Sequence, residues 1–111
     1  MKQLILGFAA ALLLTANNAL LSAEENHGNL KVGGACPMCK TRIENAAKSV
    51  EGVASATWQK ETQILHLHYD KAKTSIEAVQ KAVARSGHDA GNLQADDKTY
   101  NELPACCKYR K

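Results

Sequence analysis

An α+β domain, with two helices laid on one face of an antiparallel sheet, is the fold class this sequence predicts. Three observations carry it. Runs with the alternating period of a strand take turns along the chain with stretches whose apolar residues recur at helical spacing. The order reads strand, helix, strand, strand, helix, strand, which is the split βαβ, ferredoxin-like βαββαβ arrangement of an open-faced sandwich. The length, 111 residues, leaves room for one small core and no second one.

Before the first element, Leu4 to Leu14 reads LILGFAAALLL behind Met1-Lys2-Gln3. Eleven apolar residues fit the core of a secretory signal, whereas a bilayer span takes about 20. Small residues end the segment Ala19–Ala23, and Glu24-Glu25-Asn26-His27 turns abruptly polar. Residues 1–23 are therefore expected to be a signal peptide, cleaved near Ala23. No cysteine follows that would carry a lipid. The expected product is exported to the periplasm or outside the cell, does not span the membrane and acts as a monomer, a metal-bridged dimer being the alternative. Removing 23 of 111 residues leaves 88, with one lysine fewer and a net charge of about +2. Interspersed charges near neutrality give no nucleic-acid footprint. The remaining aromatics are Trp58, Tyr69, Tyr100 and Tyr109, so Val, Ile, Leu and Ala are expected to build the core.

Each element has its own signal. Residues 24–28 read as a loose lead, and Asn29-Leu30-Lys31-Val32 as a short strand entering Gly33-Gly34. Pro37 suits the first turn of a helix at about 37–50, with Ile43, Ala47 and Val50 on one stripe and Gly52 as its stop. Val53–Gln59 and Gln63–Tyr69 read as a hairpin around Lys60-Glu61-Thr62. In the second strand Leu65, Leu67 and Tyr69 share one face, with Ile64, His66 and His68 on the other. Thr74 or Ser75 caps a second helix carrying Ile76, Val79 and Val83, and Gly87 ends it. A last strand is expected at 89–94, with Gly91 inside it. Asp96 then caps a short C-terminal helical tail that Pro104 stops. The domain is accordingly placed at 24–94 and the tail at 95–111.

The chemical signal lies in the four cysteines. Composition alone suggests disulfides in an exported chain, but Cys36 and Cys39 are two residues apart and Cys106 and Cys107 adjacent. Cys36-Pro37-Met38-Cys39 opens the first helix, where unpaired N–H groups and the helix dipole favour thiolates. Thiolates are the ligands soft metals take, and this spacing lets two sulfurs meet one ion. Met38 between them reads as a packing or exposed residue rather than a thioether ligand.

Gly33 to Cys39, Val50-Glu51-Gly52-Val53, Tyr69-Asp70 and Gly87-His88-Asp89-Ala90 resemble the heavy-metal-associated domain over about residues 29–94. The resemblance implies a carrier, chaperone or buffer that holds a soft ion through Cys36 and Cys39. Cu(I) is favoured, with Zn(II), Hg(II) or Cd(II) as the other candidates. Its implied partner is a metal-transporting membrane protein or a second carrier. Two positions depart from the family pattern. Gly34 stands where a methionine usually packs beneath the loop, which predicts a looser loop. His88 stands where a tyrosine is common, near the loop, which makes it a candidate third ligand.

Adjacent cysteines rarely pair with each other, because the ring is strained. Cys106 and Cys107 are therefore candidate auxiliary ligands, disulfide partners of Cys36/Cys39, or an intermolecular site. About five strand residues lead away from the loop, spanning ~17 Å. A short helix of ~12 Å and a few extended residues are long enough to return. Lys108, Arg110 and Lys111 would either offset the charge of a thiolate site or solubilise the tail. His66 and His68 read as the polar face of a strand, and His27 as part of the lead. No paired carboxylates, nucleophile–base set or phosphate loop is present, so the chain is not expected to be an enzyme. The alternatives are an extracytoplasmic thiol–disulfide oxidoreductase, which would use the same Cys-x-x-Cys, and a structural disulfide protein.

Overall fold

A computed structural model describes residues 25–110. The expected leader and Lys111 lie outside the described residues. Among the described residues no helix is long and apolar enough to cross a membrane.

Strand β1 runs Glu25–Lys31, helix α1 Pro37–Lys48, strand β2 Val53–Gln59, strand β3 Ile64–Asp70, helix α2 Ile76–Arg85 and helix α3 Asp97–Asn101, followed by a 3₁₀ turn at Ala105–Cys107. The sheet is antiparallel in the order β1-β3-β2. Leu65, Leu67 and Tyr69 of β3 point into the core, as the alternation requires, and Ile64, His66 and His68 toward the open face. Cys39, Ile43 and Ala47, four apart, form the buried stripe of α1, and Val79, Val83 and Ala84 that of α2. Burying each larger aliphatic side chain contributes about 1.5–3 kcal/mol. Ser75 caps α2 by accepting from the Ala78 N–H, and Asp96 caps α3 by accepting from the Thr99 N–H, both as expected.

The structure corrects four details. β1 begins at Glu25, because the supposed lead pairs residue by residue with β3, from Glu25 opposite Asp70 to Lys31 opposite Ile64. The ladder overrides the weak strand preference of Glu-Asn-His-Gly-Asn. The strand expected at 89–94 is reduced to single bridges, Val32 with Ala90 and Ala90 with Leu93. Gly91, at φ +59°, turns the chain straight back, so Ala90 and Leu93 exchange backbone hydrogen bonds. Gly52 is not the residue that caps α1; Ser49 is, and Gly52 at φ +102° instead shapes the turn into β2. Gln63 belongs to the hairpin turn, at φ +63°, not to β3. The core also holds more than aliphatics. Trp58 is its largest fully buried side chain, and Tyr100, Cys39 and Cys107 join it.

Candidate metal centre

The loop from Val32 to Cys36 carries the chain from the end of β1 into α1. Its glycines make room. A Cβ on Gly34 would lie 2.8 Å from the Trp58 ring, and one on Gly33 would lie 2.7 Å from the Tyr109 ring. The Trp58 indole thus occupies the space beneath the loop, and its Nε1–H donates to the Val32 carbonyl at 3.0 Å. Gln63 clamps Gly34 from both sides, donating to its carbonyl at 3.0 Å and accepting from its N–H at 3.2 Å. The Gly33 N–H donates to the Asp89 carbonyl. The expectation of a looser loop is overturned: what the missing methionine would have filled, tryptophan fills, and the loop backbone is tied on three sides. Trp58 is itself held by Glu44, which accepts from the Trp58 N–H at 2.8 Å and from Lys40 at 2.6 Å.

His88 does lie beneath the loop. It is fully buried, stacks on Tyr109 at 5.4 Å, and its Nδ1 is 2.7 Å from the Gly33 carbonyl. A carbonyl only accepts, so Nδ1 carries the proton and Nε2, buried without a partner, does not. Burial pushes the pKa of His88 down, against the pull of the Gly33 carbonyl, and keeps the ring neutral.

The thiols converge on Cys36, the N-cap residue of α1. Its Sγ lies 3.4 Å from that of Cys39, 3.2 Å from that of Cys106 and 3.5 Å from that of Cys107. All four cysteines are free. Cys39 and Cys107 are buried, Cys36 half-buried, and Cys106 exposed at the rim. The sulfurs of Cys36, Cys106 and Cys107 lie within 4.8 Å of one another, close enough to share an ion; Cys39, which meets Cys36 at 3.4 Å, and His88 are not in that group. Zn–S bonds of about 2.3 Å place tetrahedral sulfurs about 3.8 Å apart, so the three contacts made by Cys36 are within a few tenths of an ångström of that spacing. Burial tends to raise the Cys36 pKa. The neighbouring Cys106 thiol, the Cys39 peptide group and the Cys39 and Cys107 thiols more than offset it, bringing the pKa from 9.0 down to about 6. Cys106 is pushed up, first by its hydrogen bond with Cys36, and Cys107 is pushed up by burial and then by Cys39 and Cys36. At neutral pH Cys36 therefore supplies a thiolate, with the sulfurs of Cys39, Cys106 and Cys107 grouped around it. Met38 is exposed.

The tail reaches the loop because it is anchored, which the sequence reading missed. Leu103 packs into the core against Gly87. The Tyr109 hydroxyl donates to the Gly87 carbonyl at 2.9 Å and accepts from the Asp89 N–H at 2.6 Å. Arg110 forks onto Asp89 at 2.8 and 3.3 Å, donates to the Ala95 carbonyl at 2.6 Å, and lies 4.3 Å over the Tyr100 ring. Burial would raise the Asp89 pKa, but Arg110 and the Ala95 N–H hold it below the usual range. Arg110 is thus a fastener, neither a counter-charge to the thiolates nor a solubilising residue. Tyr and Arg just after a cysteine pair were the available signal.

Residues 30–89 match the heavy-metal-associated domain. The copper chaperone CopZ of Staphylococcus aureus is 30% identical over 57 residues, covering 51% of this chain and 84% of that protein. A copper-exporting P-type ATPase of Staphylococcus saprophyticus is 32% identical over 59 residues, 53% of this chain but only 7% of that much longer protein. The crystal structure of oxidized MerP from Ralstonia metallidurans CH34 superimposes with a TM-score of 0.58 at 31% identity, over 60% of this chain and 94% of that one. The open-faced sandwich, the Cys-x-x-Cys at the start of α1 and the matched residues agree: the chain belongs to the heavy-metal-associated domain family.

Proposed function

We propose that this chain is an exported carrier of a soft metal ion, with Cu(I) as its preferred cargo, held by Cys36 and Cys39 together with one tail thiol, Cys106 or Cys107. The observation that carries the proposal is the meeting of three sulfurs on Cys36 at 3.2–3.5 Å, two of them from a tail beyond the matched domain. Two or three thiolates suit Cu(I) or Hg(II), while a full set of four would favour Zn(II) or Cd(II). Cys36, its pKa already lowered to about 6, captures the ion first. A tail thiol, its pKa raised, loses its proton as it binds. Exposed Cys106 is the sulfur that gives way when a partner's thiolate enters, so the ion is handed on without being released to water. The partner is a metal-transporting membrane protein or a second carrier. The carrier works as a monomer, and Cys106 is where a metal-bridged pair would form. His88 serves here as the neutral donor that fixes Gly33, supporting the loop from below.

The test is competition of the reduced protein against a Cu(I) chelator, beside Zn(II) and Hg(II). Cys36→Ser should abolish tight binding, and Cys106→Ser/Cys107→Ser should weaken it. Unchanged affinity in the double variant removes the tail from the site. Turnover of a disulfide substrate by the metal-free protein, lost in Cys36→Ser, would replace the carrier by an oxidoreductase.

A further inference from the structure

The open face of the sheet carries a second cluster of ligand-type side chains, remote from the thiols. The antiparallel register sets His27 of β1 directly opposite His68 of β3, and Glu25 opposite Asp70. Residues two apart on a strand share a face, so Glu25, His27 and His68 project together on the side away from the helices. The two imidazole rings lie 4.0 Å apart, centroid to centroid, tilted by 32°. A Glu25 carboxylate oxygen is 3.7 Å from Nδ1 of His68. One ligand atom from each of the three residues falls within 4.8 Å of the other two. His66, next along the same face, is differently employed: Asn29 and Gln59 lie at 2.9 and 3.2 Å from its two ring nitrogens.

From this juxtaposition we infer a second metal site, formed by Glu25, His27 and His68, that takes a borderline divalent cation such as Zn(II) from solvent. Two imidazoles and a carboxylate are a nitrogen and oxygen set, unlike the sulfur set at the loop. Three protein ligands leave a fourth position to water. Bonds of about 2.0–2.2 Å put tetrahedral ligand atoms about 3.3 Å apart, so side-chain rotation of an ångström or so closes the present spacing. The strand ladder fixes the backbone under all three residues. Five residues of extended chain, roughly 17 Å, separate His27 from Val32 at the mouth of the thiol loop. The two sites are independent, and the second stands whether or not the first carries Cu(I).

Titrating the purified ¹⁵N-labelled chain with Zn(II) while following imidazole resonances reads each histidine separately, so metal on the thiols does not enter the readout. His27 and His68 should shift together and saturate, with His66 unmoved. His27→Gln and Glu25→Gln should each raise the Zn(II) midpoint at least about tenfold, since even the loss of an outer partner costs about 10–100-fold in affinity. His66→Gln should leave it unchanged. Unaltered core amide resonances would show that each variant is folded. The inference is overturned if His27 and His68 stay unmoved at millimolar Zn(II), or if all three histidines drift together without saturating.

Discussion

Arg110→Ala should release the tail and expose Cys107. The substitution removes the fork to Asp89, the bond to the Ala95 carbonyl and the contact over Tyr100. The ion pair with Asp97 adds nothing of weight, since that carboxylate is 93% exposed. The Asp89 pair, with both side chains 26% exposed, is sheltered enough to count. Hydrogen bonds to charged groups contribute about 1.5–3 kcal/mol, and Asp89 keeps the Ala95 N–H after the change. A loss of about 2 kcal/mol in docking follows, or roughly a 30-fold rise in the undocked fraction. The assay is alkylation of Cys107, which is fully buried and reacts only when the tail opens. Its rate should rise about 30-fold, with Arg110→Lys in between because it keeps charge but not the fork. A Cys107 rate that does not change in Arg110→Ala would refute the view that Arg110 fastens the tail.

Other outcomes follow from the same contacts. Gly34→Met, which restores the common family residue, should lower stability by about 1–3 kcal/mol through overpacking on Trp58, seen as a lower denaturant midpoint. His88 has a folded pKa below its ordinary 6.5, so the unfolded chain binds the extra proton as the pH falls. Its contribution is complete above about pH 6.5 and is lost below it, so the denaturant midpoint should drop between pH 7 and 5, and His88→Gln should flatten that slope. Thiolate absorbance of the reduced protein should rise through about pH 6, and Cys106→Ser/Cys107→Ser should move that step upward. A step that stays at 6 in the double variant would detach the low pKa from the tail.

Much of the fold was readable because local signals agreed with tertiary ones. Ser75 and Asp96 cap the helices they precede, and the alternation at Leu65, Leu67 and Tyr69 names the core face. Glu25–Asn29 misled because β3, not its own residues, makes it a strand. Gly91 stands out inside the expected last strand, but its left-handed backbone and the loss of that strand depend on the chain returning at once. At the site, the cysteines and the closeness of His88 to the loop were legible from spacing and resemblance. Chain length permitted the tail to return. What makes it return, the Arg110–Asp89 fork and the Tyr109 hydroxyl, joins residues about twenty positions apart that no local pattern links. Gly33 and Gly34 read as freedom, whereas the structure uses them as space for Tyr109 and Trp58.

The central claim is that tail and loop thiols bind one ion. X-ray absorption on the Cu(I)-loaded chain tests it most directly, by counting sulfur neighbours of copper in the wild type and in Cys106→Ser/Cys107→Ser. The account predicts about three sulfurs falling to two. Two sulfurs in both proteins would contradict it.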